Sequence, residues 1–395
     1  MSDIRFIDDL PIRDKRVLLR VDFNVSLNPD FTIADDARIR QALPTIEFLL
    51  KNHNRLRIIS HLGRPTGRDA KYSLRRVERR LLSLLPGHSV HLVSDFKTHP
   101  PILVQQRETE ILLLENIRFY PEEQAGQMAF AKQLAALGDV FVNDAFGVCH
   151  RKDASVVGIP RFLPSYGGLL LKKEIAMLDK AIQNPEKPVV AIIGGSKIAT
   201  KINLIKRLLT LADTVILGGG LANTFLAAAG ITVGKSLYEK AALAEAKRLC
   251  ASAKRAGTEL VLPEDVITGK HRGDRSSVEK LLSQVNASDN ILDIGPETQA
   301  HIGQIINAAR TIIWNGPVGY IENPVFKRGT DFLYYAITEN RQAFSIVGGG
   351  DTLAALSQKE HLEKITHIST GGGAMLTYIE RGTLPGIDAL GHSYT

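Results

Sequence analysis

Six short apolar or β-branched runs in the second half of the chain are each followed by glycine, directly or after one residue. The runs cover residues 189–193, 214–217, 290–294, 311–314, 344–347 and 366–369. The glycines after them are Gly194-Gly195, Gly218-Gly219-Gly220, Gly295-Pro296, Gly316 to Gly319, Gly348-Gly349-Gly350 and Gly371-Gly372-Gly373. Runs of this length bounded by turn residues read as buried strands, and helical stretches between them make the sheet mainly parallel. In such sheets ligands bind outside the carboxyl ends of the strands. A missing Cβ lets the backbone approach a ligand closely there. This half is therefore expected to hold a flat, phosphorylated molecule against bare main chain.

The first half uses the same alternation with different punctuation. Apolar runs at 16–21, 56–60, 90–93, 111–114 and 140–142 alternate with helical stretches at 37–52, 74–85 and 125–137. Here the strands end in polar residues: Asp22 and Asn24, His61 and Arg64, Glu115, Asn116 and Arg118, Asn143 and Asp144. One half offers cations and hydrogen-bonding side chains, the other offers backbone, which implies two ligands, one per half. A chain of 395 residues is long for one core, so an α/β protein of two domains is expected. Between the halves, Leu170, Ile175, Leu178 and Ile182 mark an amphipathic helix over 166–183. It stops at Asn184-Pro185-Glu186-Lys187-Pro188 and serves as the hinge element. The expected domains are 1–165, a connecting helix 166–185, and 186–384.

Charge and composition narrow the partners. The net charge is +7, but the basic residues are scattered apart from Arg75-Arg76 and Arg79-Arg80, which read as a solvated helix face. No aromatic-interleaved basic stripe is present, so nucleic acid is not expected as a partner. Neither is a membrane, because no apolar stretch approaches the ~20 residues needed to span one. Residues 1–10 carry Asp3, Arg5, Asp8 and Asp9 and have no apolar core of a secretory signal. The two cysteines, Cys149 and Cys250, form no disulfide framework, which points to a reducing, cytoplasmic compartment. His53, His61, His88 and His91 have no metal-ligand spacing.

Within the second half, Lys197 and Lys201 come after Gly194-Gly195 four residues apart, which places them on one face at the start of a helix. Like charges there repel one another and oppose the helix dipole. An anion between them resolves the conflict, so phosphate contacts are favoured over two solvated lysines. Asp351, behind Gly348-Gly349-Gly350, fits a plain helix N-cap and equally an Mg²⁺ ligand beside nucleotide phosphates. Gly234-Lys235-Ser236 looks like the end of a Walker A loop, but the first glycine would fall at Ala229. No G-x-G-x-x-G comes after a strand either. In the first half Arg38, His61, Arg64, Arg118 and Arg151 are candidates for an anion pocket, since guanidinium groups grip phosphate and carboxylate bidentately.

Several strings resemble the signature blocks of the phosphoglycerate kinase family. They are Arg20-Val21-Asp22-Phe23-Asn24-Val25, Ser60-His61-Leu62-Gly63-Arg64-Pro65, Glu115-Asn116-Ile117-Arg118-Phe119 and Asn143-Asp144-Ala145-Phe146-Gly147. Gly194-Gly195-Ser196-Lys197, residues 215–222, Trp314-Asn315-Gly316-Pro317, residues 348–352 and 369–374 continue the series in the family's order. The resemblance implies two Rossmann-like domains facing each other across a cleft, with the tail 385–395 packing back on the first. It implies a monomer that transfers a phosphoryl group between 1,3-bisphosphoglycerate and ADP, with Mg²⁺. Carried over by position, Asp22, Asn24, Arg38, His61, Arg64, Arg118 and Arg151 form the triose-phosphate pocket. Gly195, Lys197, Lys201, Gly219, Asn315, Pro317, Gly319, Glu322, Gly349, Gly350, Asp351 and Thr352 form the nucleotide site. Arg38, Lys197 and Lys201 meet the moving phosphoryl group, and Asp351 holds the metal. The chain departs from the family at Ser26, at Val318, Tyr320 and Ile321, and at Lys152-Asp153, where an acid stands in place of a usual base.

Overall fold

The computed structural model describes residues 4–10, 12–98, 101–356 and 360–391. The chain divides into two compact units. One contains the residues up to Ala176 together with the segment from Arg381 onward, and the other is Met177–Glu380.

The first unit carries β1 (Arg16–Arg20), β2 (Ser26–Leu27), β3 (Ile33–Asp35), β4 (Arg55–Ile59), β5 (Ser89–Val93), β6 (Glu110–Leu114), β7 (Val140–Asn143) and β8 (Ser165–Gly167). Six of these form one parallel sheet in the order β5-β6-β4-β1-β7-β8, while β2 and β3 make a small antiparallel ribbon. The central strands are apolar because helices cover both faces. Val17, Leu19, Ile58, Leu113 and Val142 are buried against Ile39, Ile46 and Leu49 of the helix Ala37–Lys51 and Val77 and Leu81 of the helix Arg75–Leu84. Of the expected 125–137 helix only Met128–Ala135 is helical; a single helical turn, Pro121–Gln124, precedes it, and Gly126 with φ of +63° parts the two. From the chain's end, the helix Pro385–Gly391 returns to this unit, where the Gly386 N–H donates to the Cys149 carbonyl at 2.8 Å. Residues 392–395 of the expected tail lie outside the described residues.

The second unit begins inside the long helix Leu169–Ile182. The amphipathic stretch is thus shorter than expected at its start, because Ser165–Gly167 pairs with β7 as an edge strand. Its own strands are β9 (Val189–Ile193), β10 (Thr214–Leu217), β11 (Glu259–Val261), β12 (Asp265–Gly269), β13 (Val278–Leu281), β14 (Asn290–Ile294), β15 (Thr311–Asn315), β16 (Phe344–Gly348) and β17 (His367–Ile368). A parallel sheet has the order β11-β10-β9-β15-β16-β17. The 290–294 run is a strand as expected, but it belongs to a separate antiparallel sheet, β13-β12-β14. Buried Trp314, Val190, Ile192 and Ile312 pack with Leu333, Tyr334 and Ile337 of the helix Arg328–Glu339. No helix among the described residues is long and apolar enough to cross a membrane.

Candidate active site

In the first unit the residues that leave the carboxyl ends of β1, β4 and β6 converge. Asp22 sits two residues past β1, and Arg38 on the first turn of the helix Ala37–Lys51 donates to its carboxylate. His61 Nδ1 lies 3.8 Å from the other Asp22 oxygen and 3.4 Å from the Arg20 guanidinium. Burial works against a charged Asp22, yet the Arg38 and Arg20 guanidinium groups, with the Asn24 N–H, outweigh it and hold the carboxyl at about 2. Burial, with three guanidinium groups nearby, pushes the fully buried His61 well below its ordinary value against the pull of Asp22. His61 is therefore a neutral imidazole at physiological pH.

Gly63 is the pivot of this pocket. Its N–H donates to Asn24 Oδ1 at 2.7 Å, and its carbonyl accepts from Arg118 Nη1 at 2.7 Å. The φ of +65° excludes a side chain, and a Cβ there would enter the Tyr72 ring. Arg118 is 5% exposed, and its Nε has no hydrogen-bond partner among the described residues. Burial, together with the charges of Arg151 and Arg20, lowers its guanidinium to about 10. A buried, under-used guanidinium is costly unless an anion completes it. Arg151 is half-buried and Arg64 is exposed on the loop after His61. Asp153 is buried with one oxygen unpartnered, as is His150 Nδ1, so the altered Lys152-Asp153 corner places a carboxylate inside the basic pocket.

Arg20 is the residue that sequence reasoning passes over. It is wholly buried, and its guanidinium donates to Ser155 Oγ at 2.9 Å and to the Val21 carbonyl. An arginine closing an apolar strand run reads as an edge residue. Only its position just ahead of Asp22 hints at a role.

The second unit builds its site from loops that a side chain would block. A Cβ on Gly194 would overlap the Pro317 carbonyl, and one on Gly219 would lie 2.9 Å from the Gly195 carbonyl. Gly195, Gly219 and Gly349 have φ of +115°, +64° and +109°. Asn315 crosses between these loops, donating to the Gly348 carbonyl at 2.8 Å, and Thr352 Oγ1 accepts from the Gly316 N–H at 2.7 Å. Lys201 Nζ donates to the Gly194 carbonyl at 2.6 Å and to Asn315 Oδ1 at 3.1 Å. Burial lowers its ammonium to about 8 despite the nearby Asp351 carboxylate.

Lys197 and Lys201 do not share a helical face. The helix starts only at Ile202, Lys201 is its N-cap, and residues 195–200 are irregular, with a turn only at their end. Glycine at φ of +115° delays the helix, so Lys201 folds back under the loop while Lys197 stays exposed. The helix Gly219–Ala228, by contrast, begins directly at its glycines.

A cavity of about 550 Å³ opens beside these loops. Gly195, Gly219, Pro317, Gly319, Glu322 and Asp351 line it, whereas Lys197, Lys201, Asn315, Gly349, Gly350 and Thr352 do not. Of the latter, Lys201, Asn315 and Thr352 tie the loops together from behind. The cavity wall also includes Asn223, Lys235, Arg272, Asp293 and Tyr320, none of which the sequence marks as a ligand contact. Lys235 belongs to the rejected Walker-like string. It reaches the wall through a turn at Gly234, where the Lys235 N–H donates to the Asp289 carbonyl at 2.7 Å. No cluster of three or more metal-ligating side chains exists among the described residues. A lone exposed Asp351 suits an ion held mainly by phosphate oxygens, as Mg²⁺ commonly is.

Comparison with known proteins converges on one family. The family model described as Phosphoglycerate kinase matches residues 7–382. A phosphoglycerate kinase of Pelotomaculum thermopropionicum is 44% identical over 97% of this chain and 98% of the relative. That of Moorella thermoacetica is 45% identical with the same coverage. Among solved structures, the phosphoglycerate kinase from Coxiella burnetii superposes with a TM-score of 0.87 at 38% identity, covering 98% of both chains. The one from Pyrococcus horikoshii gives 0.82 at 32% identity, again with 98% of both chains.

Proposed function

The chain belongs to the phosphoglycerate kinase family, and from that premise we propose how its residues divide the work. The reaction is reversible phosphoryl transfer between 1,3-bisphosphoglycerate and ADP, giving 3-phosphoglycerate and ATP in glycolysis. Asp22, Asn24, Arg38, His61, Arg64, Arg118 and Arg151 bind the triose phosphate, with Arg20 fixing His61 and Asp22 from beneath. The nucleotide lies along the glycine loops at Gly195, Gly219, Pro317, Gly319, Glu322 and Gly349 to Thr352. Its location in the cell is the cytoplasm, and it works as a monomer.

Phosphoryl transfer of this kind needs in-line geometry and neutralisation of the equatorial oxygens, with little covalent work for the protein. In the direction of ATP synthesis a phosphate oxygen of ADP attacks and a carboxylate leaves, so no general base is required. Arg38, Lys197 and Lys201 supply positive charge to the moving group, and Asn315 holds the Lys201 ammonium in place. Asp351 would hold Mg²⁺, which when bound neutralises charge on the nucleotide phosphates.

Lys201 carries this reading. Its hydrogen bonds go to neutral oxygens at the junction of the glycine loops, and burial has already weakened its hold on a proton. A polyphosphate beside it supplies the missing countercharge. A coupled assay of 3-phosphoglycerate-dependent ATP consumption with Mg²⁺ should show robust turnover in the native chain and a loss of about 10²-fold in Lys201→Ala. Full activity in that variant would remove Lys201 from the mechanism.

A further inference from the structure

The ribbon of β2 and β3 turns through Asn28-Pro29-Asp30-Phe31, and the last of these residues is strained. Phe31 has a φ of +65°, in the left-handed region that a bulky side chain strongly disfavours. The turn itself does not call for a phenylalanine. The Phe31 N–H donates to the Asn28 carbonyl at 2.8 Å and the Asn28 N–H to the Thr32 carbonyl at 2.9 Å, bonds that glycine would make equally well. Strain of this kind persists where the surroundings over-determine it. Burial is a weak source of that support, because Phe31 is 37% exposed.

The contacts that hold the ring are charged. The Lys71 ammonium and the Arg76 guanidinium carbon each lie 5.5 Å from the centre of the Phe31 ring. Arg76, which the sequence places on a solvated helix face, is half-buried over this ring. Lys71 also lies 5.4 Å from the centre of the Tyr72 ring. Arg76 donates to the Lys71 carbonyl at 3.1 Å, and the Lys71 N–H donates to Asp69 Oδ1 at 2.8 Å, which fixes the segment that carries the stack. Tyr72 packs directly on Gly63, since a Cβ on that glycine would come within 2.4 Å of the ring. Asn116 binds the two segments together, donating to the Leu62 and Tyr72 carbonyls at 2.7 and 2.9 Å. A row of side chains thus runs from the ribbon tip to Gly63, the residue that engages Asn24 and Arg118.

We propose that Phe31, Lys71 and Tyr72 form a strut that positions the Gly63-Arg64 turn for the triose phosphate. This rests on the assignment of Arg64 and Arg118 to that ligand. Phe31 is a positioning residue, acting through Gly63 and touching no substrate. Asn24 holds Gly63 from one side and the strut backs it from the other. The strained backbone at Phe31 is what puts an aromatic face within reach of both cations. Without the ring, the turn keeps its bonds to Asn24 and Arg118 but loses its backing, so 3-phosphoglycerate binds less well while the nucleotide half is untouched.

Steady-state kinetics with 3-phosphoglycerate and MgATP on the full chain test this. Glycine suits the backbone at position 31, so Phe31→Gly should keep its denaturant midpoint at or above the native one. Its KM for 3-phosphoglycerate should rise roughly three- to tenfold, with kcat and the KM for MgATP unchanged. Lys71→Met should do the same, whereas Phe31→Trp, which retains an aromatic face, should keep the native KM. An unchanged KM for 3-phosphoglycerate in Phe31→Gly overturns the strut. So does a KM that rises equally for both substrates, or a rise that Phe31→Trp shares. Arg118→Ala separates the two readings. If it raises the KM for 3-phosphoglycerate and Phe31→Gly does not, the strut alone falls; if it leaves that KM unchanged, the triose-phosphate assignment falls and the strut with it.

Discussion

The two units place their polar groups at the same end of similar parallel sheets, yet they present opposite materials there. After β1, β4 and β6 the first unit presents Asp22, Asn24, His61 and Arg118, each held by another side chain or by Gly63. After β9, β10, β15 and β16 the second unit presents glycine backbone, with Lys201 and Asn315 tucked behind it. On the assignment proposed above, the difference follows the shape and charge of each ligand. A small triose phosphate is mostly charge and is gripped best by bidentate guanidinium groups. A nucleotide is long and flat, and bare backbone lets its phosphates come close. One site should fail when atoms are removed, the other when atoms are added.

The sharpest way to break that contrast is at Arg38. Arg38→Ala removes the donor to Asp22 and the charge proposed to meet the transferred phosphoryl group. Its kcat should fall by about 10³-fold while MgADP affinity holds, as measured by steady-state kinetics beside calorimetry. Normal turnover would end the assignment. On the other side, Gly219→Ala adds one methyl 2.9 Å from the Gly195 carbonyl at a φ of +64°. We expect MgADP to bind about tenfold more weakly and 3-phosphoglycerate to bind unchanged, with stability lowered by about 2 kcal/mol in denaturant titrations. A finer effect concerns protons. Lys201 ionises at about 8 in the free protein, so above that pH it is increasingly neutral. Bound polyphosphate favours its charged form, and MgADP binding near about pH 8.5 should therefore take up a proton. Calorimetry in buffers of differing ionisation heat reads this directly, and Lys201→Met should abolish it.

How much of this is legible in the residues alone depends on whether a feature is local. Strands β9, β10, β15 and β16 are legible because apolar runs stop at glycine, and that is a local signal. The partner of β14 is not, since an apolar run carries no information on whether its neighbour is parallel or antiparallel. Tyr166 reads as helix by periodicity, but pairing with Val142 of β7 draws it into an edge strand. The spacing of Lys197 and Lys201 implies a shared helical face, whereas the positive φ at Gly195 delays the helix to Ile202. Arg20 is hidden for a related reason. Its importance lies in contacts with His61 and Ser155, distant in sequence. The stacking of Phe31 with Lys71 and Arg76 is equally non-local, joining segments that lie far apart along the chain.

The division itself is tested most directly by amide hydrogen exchange in the native protein saturated with 3-phosphoglycerate alone. Protection should rise at 20–24, 61–64, 116–119 and 150–153 and stay at the free level at 194–196, 218–220 and 348–352. Protection of the glycine loops with no change around Gly63 and Arg118 would contradict it, and would exchange the ligands between the two units.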